Sequence, residues 1–206
     1  ALGITLILLS LPFGCSPSAP LKVGTLPVLD SLPLSLARHK PIFTENRLVV
    51  EAIYFERPSE LRAALMKGEI DAAITDLIGA LLLHEGQKWS KIVRVALRAS
   101  PSRPMFAIVA APSRLITTVH GLENASIAVS SETQDRCVAE GLLSAAGVNK
   151  WTEIEVGSPE IGLEMMQKGE VAAALLPEPL ISIAVENGAR VVLDDRSLTL
   201  GQTVVV

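Results

Sequence analysis

The sequence predicts an α/β protein of two similar lobes, each built on a parallel-dominated sheet. Three observations carry that prediction. Lys67–Asp76 (KGEIDAAITD) and Lys168–Pro177 (KGEVAAALLP) repeat one figure 101 positions apart: Lys, Gly, Glu, a β-branched aliphatic, two alanines and a large aliphatic. Each copy follows a helix-like segment, Pro58–Met66 or Pro159–Gln167, and precedes another, Leu77–His84 or Leu180–Asn187. Strand-like and helix-like stretches alternate along most of the chain, the order that yields parallel sheets with right-handed crossovers. At 206 residues and 49% hydrophobic, the chain can fill two lobes of about 100 residues each.

The N-terminus carries a different signal. Ala1–Phe13 (ALGITLILLSLPF) is an apolar run that ends at Gly14-Cys15 and a Ser/Pro segment. It is too short to cross a hydrocarbon layer, which takes about 20 residues, and fits the apolar core of an export signal. Its Gly-Cys ending resembles a bacterial lipoprotein signal, in which Cys15 becomes the lipidated first residue, although Pro12 stands where a leucine is usual. Residues 1–20 are read as this signal remnant and a linker. With Cys15 lipidated only Cys137 is left, so no disulfide can close within the mature chain. Cys137, among Ala and Leu in a helical stretch, reads as a small buried hydrophobe.

Leu21–Thr25 is the first strand, followed by a loop through Asp30-Ser31 and a helix over Leu32–His39, which Asp30 or Ser31 can cap, with Pro33 in its first turn. Leu48–Phe55 is a β-branched and aromatic strand. Pro58–Lys67 is a helix closed by Gly68. Ile70–Thr75 is a strand, with Asp76 at the next helix N-cap. Ile92–Ala99 and Met105–Ala110 are further strands, and Ala111-Pro112-Ser113 marks a boundary. The pattern then restarts: a short helix or turn at Thr117–Leu122, strand Ser126–Val129, helix Thr133–Ala146, strand Glu153–Val156, helix Pro159–Gln167, strand Val171–Leu176, helix Leu180–Asn187 and strand Val191–Leu193. This divides the chain into a first lobe at 21–112, a second at 113–202, and a further strand that starts at 203–206.

Parallel sheets bind ligands beyond the carboxyl ends of their strands, where helices begin. Two such lobes face to face bring four loops into one cleft and form a clamshell that closes by hinge motion. The candidate ligand-binding residues are Leu29, Asp30, Ser31, Thr75 and Asp76 from the first lobe. The second lobe offers Ser130, Ser131, Thr133, Pro177 and Glu178.

These same stretches carry a resemblance. VGTLPVLDSLPLSLARHKPIF, ELRAALMKGEIDAAITDLIGALLL, PMFAIVAAPS, GEVAAALLPEPL and ARVVLDD are similar to solute-binding proteins of ABC importers, in the nitrate/sulfonate/taurine and thiamine-precursor-like family. The resemblance covers nearly all of Leu21–Val206. It implies the type II periplasmic-binding-protein fold: two α/β lobes joined by crossing strands, a small solute between them, and delivery to the permease subunits of an importer. Family members continue beyond the equivalent of Val206 and return to the first lobe, so the resemblance implies a first lobe incomplete at its C-terminal side. With the lipid anchor, it also implies an extracytoplasmic, membrane-attached location.

The remaining chemistry is spare. A net charge of −4 and a pI near 5.5 leave no basic footprint for nucleic acid. The motifs G-x-S-x-G, G-x-G-x-x-G, H-E-x-x-H and the P-loop lysine signature are absent. His39, His84 and His120 are scattered, a poor set for a metal, and no cofactor is expected. The four loops hold three carboxylates, Asp30, Asp76 and Glu178, and no Lys or Arg. An anion about 5 Å from one carboxylate is repelled by roughly 3 kcal/mol at an effective dielectric near 20, while a helix N-terminus returns only about 0.3–2 kcal/mol. A solute with amine, amidine or ring N–H donors fits better than nitrate or sulfate, unless the two aspartates serve only as helix caps. Two other readings compete: an enzyme on the same fold, pyrimidine-precursor synthase-like or chorismate-processing lyase-like, and the effector domain of a transcription regulator. The synthase's cysteine-rich motif is missing. A regulator needs a helix-turn-helix where the signal-like segment stands.

Overall fold

A computed structural model of the chain describes residues 19–86, 90–131, 133–198 and 202–206. The apolar run Ala1–Phe13 and Cys15 lie outside the described residues. Two five-stranded mixed sheets organise the rest, in strand orders β2-β1-β3-β10-β4 and β7-β6-β8-β5-β9. The first sheet comprises β1 (Leu21–Thr25), β2 (Val50–Tyr54), β3 (Ala72–Asp76), β4 (Arg94–Arg98) and β10 (Gln202–Val205). The second comprises β5 (Phe106–Ala110), β6 (Ser126–Ser130), β7 (Thr152–Val156), β8 (Ala173–Pro177) and β9 (Arg190–Asp194). In each sheet four strands run one way and one runs against them: β10 is antiparallel to β3 and β4, and β5 is antiparallel to β8 and β9.

The sequence repeat is the repeat of the two sheets. Helix α3 (Pro58–Met66) and strand β3 recur 101 positions later as α6 (Pro159–Gln167) and β8. The Lys-Gly-Glu figure is the turn between them. Gly68 and Gly169 take φ of +70° and +75°, the left-handed conformation that glycine adopts without steric cost. Glu69 N–H then reaches back to Ala64 O at 2.9 Å and Glu170 N–H to Met165 O at 2.9 Å, the same Schellman closure twice. Register agrees: Gly24 lies beside Ala73 in the first sheet, and Ala128 beside Ala174 in the second.

The strand Met105–Ala110, expected in the first lobe, belongs to the second sheet, because its ladder partners are β8 and β9. The chain therefore changes sheets between Arg98 and Phe106, ahead of Pro112. It changes back between β9 and β10, and the return strand at the end of the chain pairs in the first sheet. Each sheet thus receives its antiparallel strand immediately after a crossing.

Alternation along the second sheet buries both of its faces. Ile108, Ile127, Val129, Ala173 and Leu175 pack on one side, beneath α5 (Thr133–Ala145). Ala107, Val109, Ala128, Ala174 and Leu176 pack on the other, against α6 and α7 (Leu180–Glu186). The first sheet has a smaller core of Leu61, Ala64, Leu65, Ile70, Ala73 and Leu83, under α3 and α4 (Leu77–Gly86). Helix α1 (Leu32–His39) matches expectation, and the one-turn α2 (Ile42–Glu45) follows Pro41. Cys137 is exposed, not buried: the core face of α5 is formed by Val138, Ala139, Leu142 and Leu143, and Cys137 falls beside that stripe.

Candidate functional site in the cleft between the lobes

A cavity of about 230 Å³ lies where the carboxyl ends of both sheets meet. The first lobe supplies Leu26, Val28, Leu29 and Asp30 after β1, Thr75 and Asp76 at the end of β3, and Gly79 and Leu82 on α4. The second lobe supplies Ser130 at the end of β6, Gln134 and Asp135 on α5, and Pro177-Glu178 after β8. The repeat shows here too, since Pro58 and Pro159 open α3 and α6 and both reach the wall. The crossings close the site with Leu97, Arg103, Pro104, Met105, Phe106 and Thr203.

Of the residues expected at the cleft, Leu29, Asp30, Thr75, Asp76, Ser130, Pro177 and Glu178 line the cavity. Ser31 does not. It is buried, and its hydroxyl donates to Val28 O at 2.7 Å, inside its own turn. Ser131 is exposed and outside the lining. Thr133 opens α5.

The capping expectation separates the two aspartates. Asp76 caps α4, accepting the Gly79 N–H on Oδ1 at 2.6 Å. Asp30 caps nothing: α1 starts without a side-chain cap, and the Asp30 carboxylate instead accepts the Thr203 hydroxyl from the return strand. Burial pushes the Asp30 carboxyl above the ordinary carboxylate range, and the Thr203 hydrogen bond opposes that shift. Glu178 Oε2 accepts the Ser182 hydroxyl at 2.9 Å and the Ser182 N–H at 3.3 Å, in the first turn of α7.

The four-loop reading missed the cations. Arg62, on the second turn of α3, is half-buried at the wall, and Arg103, in the turn before β5, is exposed at it. It also missed Asp135, Gln134 and Phe106. Asp135 follows the strand–helix junction by one turn, so counting helix periodicity from Ser130 would have found it. Arg62 and Arg103 gave no local signal, because only the packing of α3 and the path of the crossing bring them there. Among the described residues no cluster of three metal-ligating side chains occurs, and no helix is long and apolar enough to cross a membrane.

The profile of the NMT1-like family matches residues 14–202. The chain belongs to the NMT1-like family. Solved structures agree on the architecture. The alkanesulfonate-binding protein SsuA from Xanthomonas axonopodis pv. citri, bound to MOPS, superposes with a TM-score of 0.69 at 19% identity, over 92% of this chain and 66% of that one. The periplasmic aliphatic sulphonate binding protein SsuA from Escherichia coli gives 0.68 at 21% identity, over 91% and 64%. PhnD1 from Prochlorococcus marinus (MIT 9301), in complex with methylphosphonate, gives 0.65 at 15% identity, over 90% and 75%. At these identities the likeness is one of fold, and the chain spans about two thirds of the two sulfonate-binding structures. Comparison with curated protein sequences gives no match. The NMT1-like assignment agrees with the double-lobed topology, in which one strand of each sheet arrives from the other lobe.

Proposed function

We propose that this chain is the solute-binding component of an ABC importer, which captures a small polar solute between its lobes outside the cytoplasm and hands it to the permease. The observation that carries this reading is the placement of the cavity. It is walled by the carboxyl ends of two separate sheets and by the segments that cross between them, so lobe rotation about those crossings opens or closes it. The family membership and the binding proteins of the same fold support it. Cys15, at the end of the apolar run, is proposed as the lipid attachment point that holds the receptor at the outer face of the membrane. The cleft residues proposed to touch solute are Leu29, Asp30, Thr75, Asp76, Ser130, Pro177 and Glu178, joined by Asp135 and Phe106.

Small-angle scattering of the full-length protein, titrated with amines, pyrimidines, sulfonates and methylphosphonate, tests the reading. A solute that raises the melting temperature is expected to shrink the radius of gyration as the lobes close, and Cys15→Ser is expected to release the protein from the membrane fraction. Conversion of a bound solute to product overturns the receptor reading in favour of an enzyme.

A further inference from the structure

Each sheet takes in one strand that arrives from the other lobe, and a carboxylate of the receiving lobe holds each arrival. Strand β5 enters the second sheet after the crossing from Arg98, beside β9. Asp195, the residue after β9, accepts the Met105 N–H at 2.9 Å and the Phe106 N–H at 3.3 Å, both on Oδ1. Strand β10 enters the first sheet on the return, and there the Asp30 carboxylate accepts the Thr203 hydroxyl.

The hold at Asp195 reaches the cavity through Met105. Met105 stands one residue ahead of the β5 ladder and is buried, so its N–H needs a partner that no neighbouring strand supplies. The carboxylate supplies it. On its other side the Met105 carbonyl accepts the Glu178 N–H at 3.3 Å, which ties the loop after β8 to the same point. The Asp195 N–H in turn donates to Phe106 O at 3.2 Å. Met105, Phe106, Glu178 and Thr203 all line the cavity, while Asp195 is fully buried and outside the lining.

The two holds share a logic. Each joins a side chain of the receiving lobe to the first residues of the strand that has just crossed. On the outward crossing, bending is thereby confined to residues 99–104, and everything from Met105 onward moves with the second lobe. A cavity wall fixed in this way meets a solute already ordered, so no ordering cost is subtracted from its binding.

We propose that Asp195 and Asp30 are positioning residues of the cleft, each fixing one interlobe crossing to its receiving lobe so that the lobes swing as rigid bodies and Met105, Phe106 and Glu178 stay in place. This rests on the receptor reading, which makes those crossings hinges.

Double electron–electron resonance between spin labels at Met66→Cys and Gln167→Cys tests it, in the full-length protein with Cys15 and Cys137 replaced by serine. Both positions are exposed at the far ends of α3 and α6, helices that begin at the cavity wall, so lobe rotation changes their separation. Without added solute, Asp195→Ala is expected to raise the population outside the wild-type distance range about tenfold, the weight of one lost hydrogen bond to a charged acceptor. Thr203→Val removes the other hold and is expected to do the same, which keeps the test open if Asp195→Ala does not fold. Asp195→Asn keeps the acceptor and is expected to match the wild type. Leu143→Ala, a core truncation in the last turn of α5, is expected to lower the melting temperature and leave the distances alone. Unchanged distances in Asp195→Ala or Thr203→Val, or an equal shift in Asp195→Asn or Leu143→Ala, overturn the positioning role and leave the receptor reading standing. A wild-type distribution that no amine, pyrimidine, sulfonate or methylphosphonate moves overturns the receptor reading instead.

Discussion

Asp195 shows how one side chain ties the two crossings. It is fully buried just after β9. Its Oδ1 accepts the N–H groups of Met105 and Phe106 at 2.9 and 3.3 Å, while Oδ2 has no partner among the described residues. Burial pushes its carboxyl up from 3.8, the backbone donors pull it part of the way back, and the neighbouring Asp194 adds a smaller upward push. The folded state therefore holds this proton more tightly than the unfolded chain. The stability it contributes is fully present below 3.8 and is lost as pH rises through the raised folded value. Asp30 shifts the same way, again chiefly by burial. Asp194, held down by Arg196, works in the opposite sense. Asp195→Asn keeps the Oδ1 acceptor and loses no bond at the other atom. It is expected to raise the melting temperature at pH 7 by roughly 2–4 °C, the shift about 1 kcal/mol makes in a chain of this size, and the gain should vanish toward pH 4. Thermal unfolding between pH 4 and 7 measures this, and a lower melting temperature at pH 7 would falsify the sign.

At the scale of elements, the two copies of the repeat differ in how tightly strand meets helix. Gly24 in β1 and Ala128 in β6 hold matching register positions, yet only the second has room for a methyl group. A Cβ on Gly24 would sit 2.5 Å from Ile70 Cδ1 and 2.6 Å from Leu61 Cδ1, and both of those side chains are buried with little space to yield. Gly24→Ala is expected to cost about 1–2 kcal/mol through overpacking. Gly162, in the interior of α6, makes the contrast. Its added Cβ meets Ala128 Cβ at 3.4 Å, ordinary contact, and its backbone is helical. Gly162→Ala is expected to gain about 0.5–1 kcal/mol from helix propensity and from the stiffer unfolded chain. Urea unfolding of the pair decides it; equal effects of the two substitutions would show that packing at β1 is not the cause.

Over the whole molecule the lobes are unequal. The second sheet is covered on both faces by two large clusters, whereas the described core of the first is six residues. Large exposed hydrophobics concentrate in the first lobe, among them Leu36, Leu48, Val49, Leu81 and Val93, with few in the second. Local opening is governed by buried apolar contact, so hydrogen exchange is expected to be slowest in β5, β6 and β8 and fastest in β2, β4 and α1. Exchange measured by mass spectrometry on the chain of 206 residues should give protection differing by at least about tenfold between these groups, equivalent to about 1.4 kcal/mol of opening free energy. Equal protection of β2 and β6 would mean that the lobes unfold as one unit.

The sequence by itself determined the elements and their duplication. Hydrophobic period, the glycine after each of α3 and α6, and the Lys-Gly-Glu figure are local features, and local features set helices, turns and strands before any long-range contact forms. The candidate loops were legible for a related reason: in a parallel sheet the ligand end is the carboxyl end, so Asp30, Thr75, Asp76, Ser130 and Glu178 could be named from strand boundaries alone. Tertiary structure decided which sheet each strand joined and which charges faced the cleft. Met105–Ala110 reads as a strand in any lobe, and only its ladder with β8 and β9 assigns it to the second. Arg62 and Arg103 lie outside the strand-end loops, and packing alone turns them to the cavity wall. Asp30, a plausible cap in sequence, spends its carboxylate on Thr203, 173 positions away, because the return strand passes beside it. Contacts that distant in sequence have no period or spacing to betray them, and they exist only once two sheets have formed and exchanged a strand.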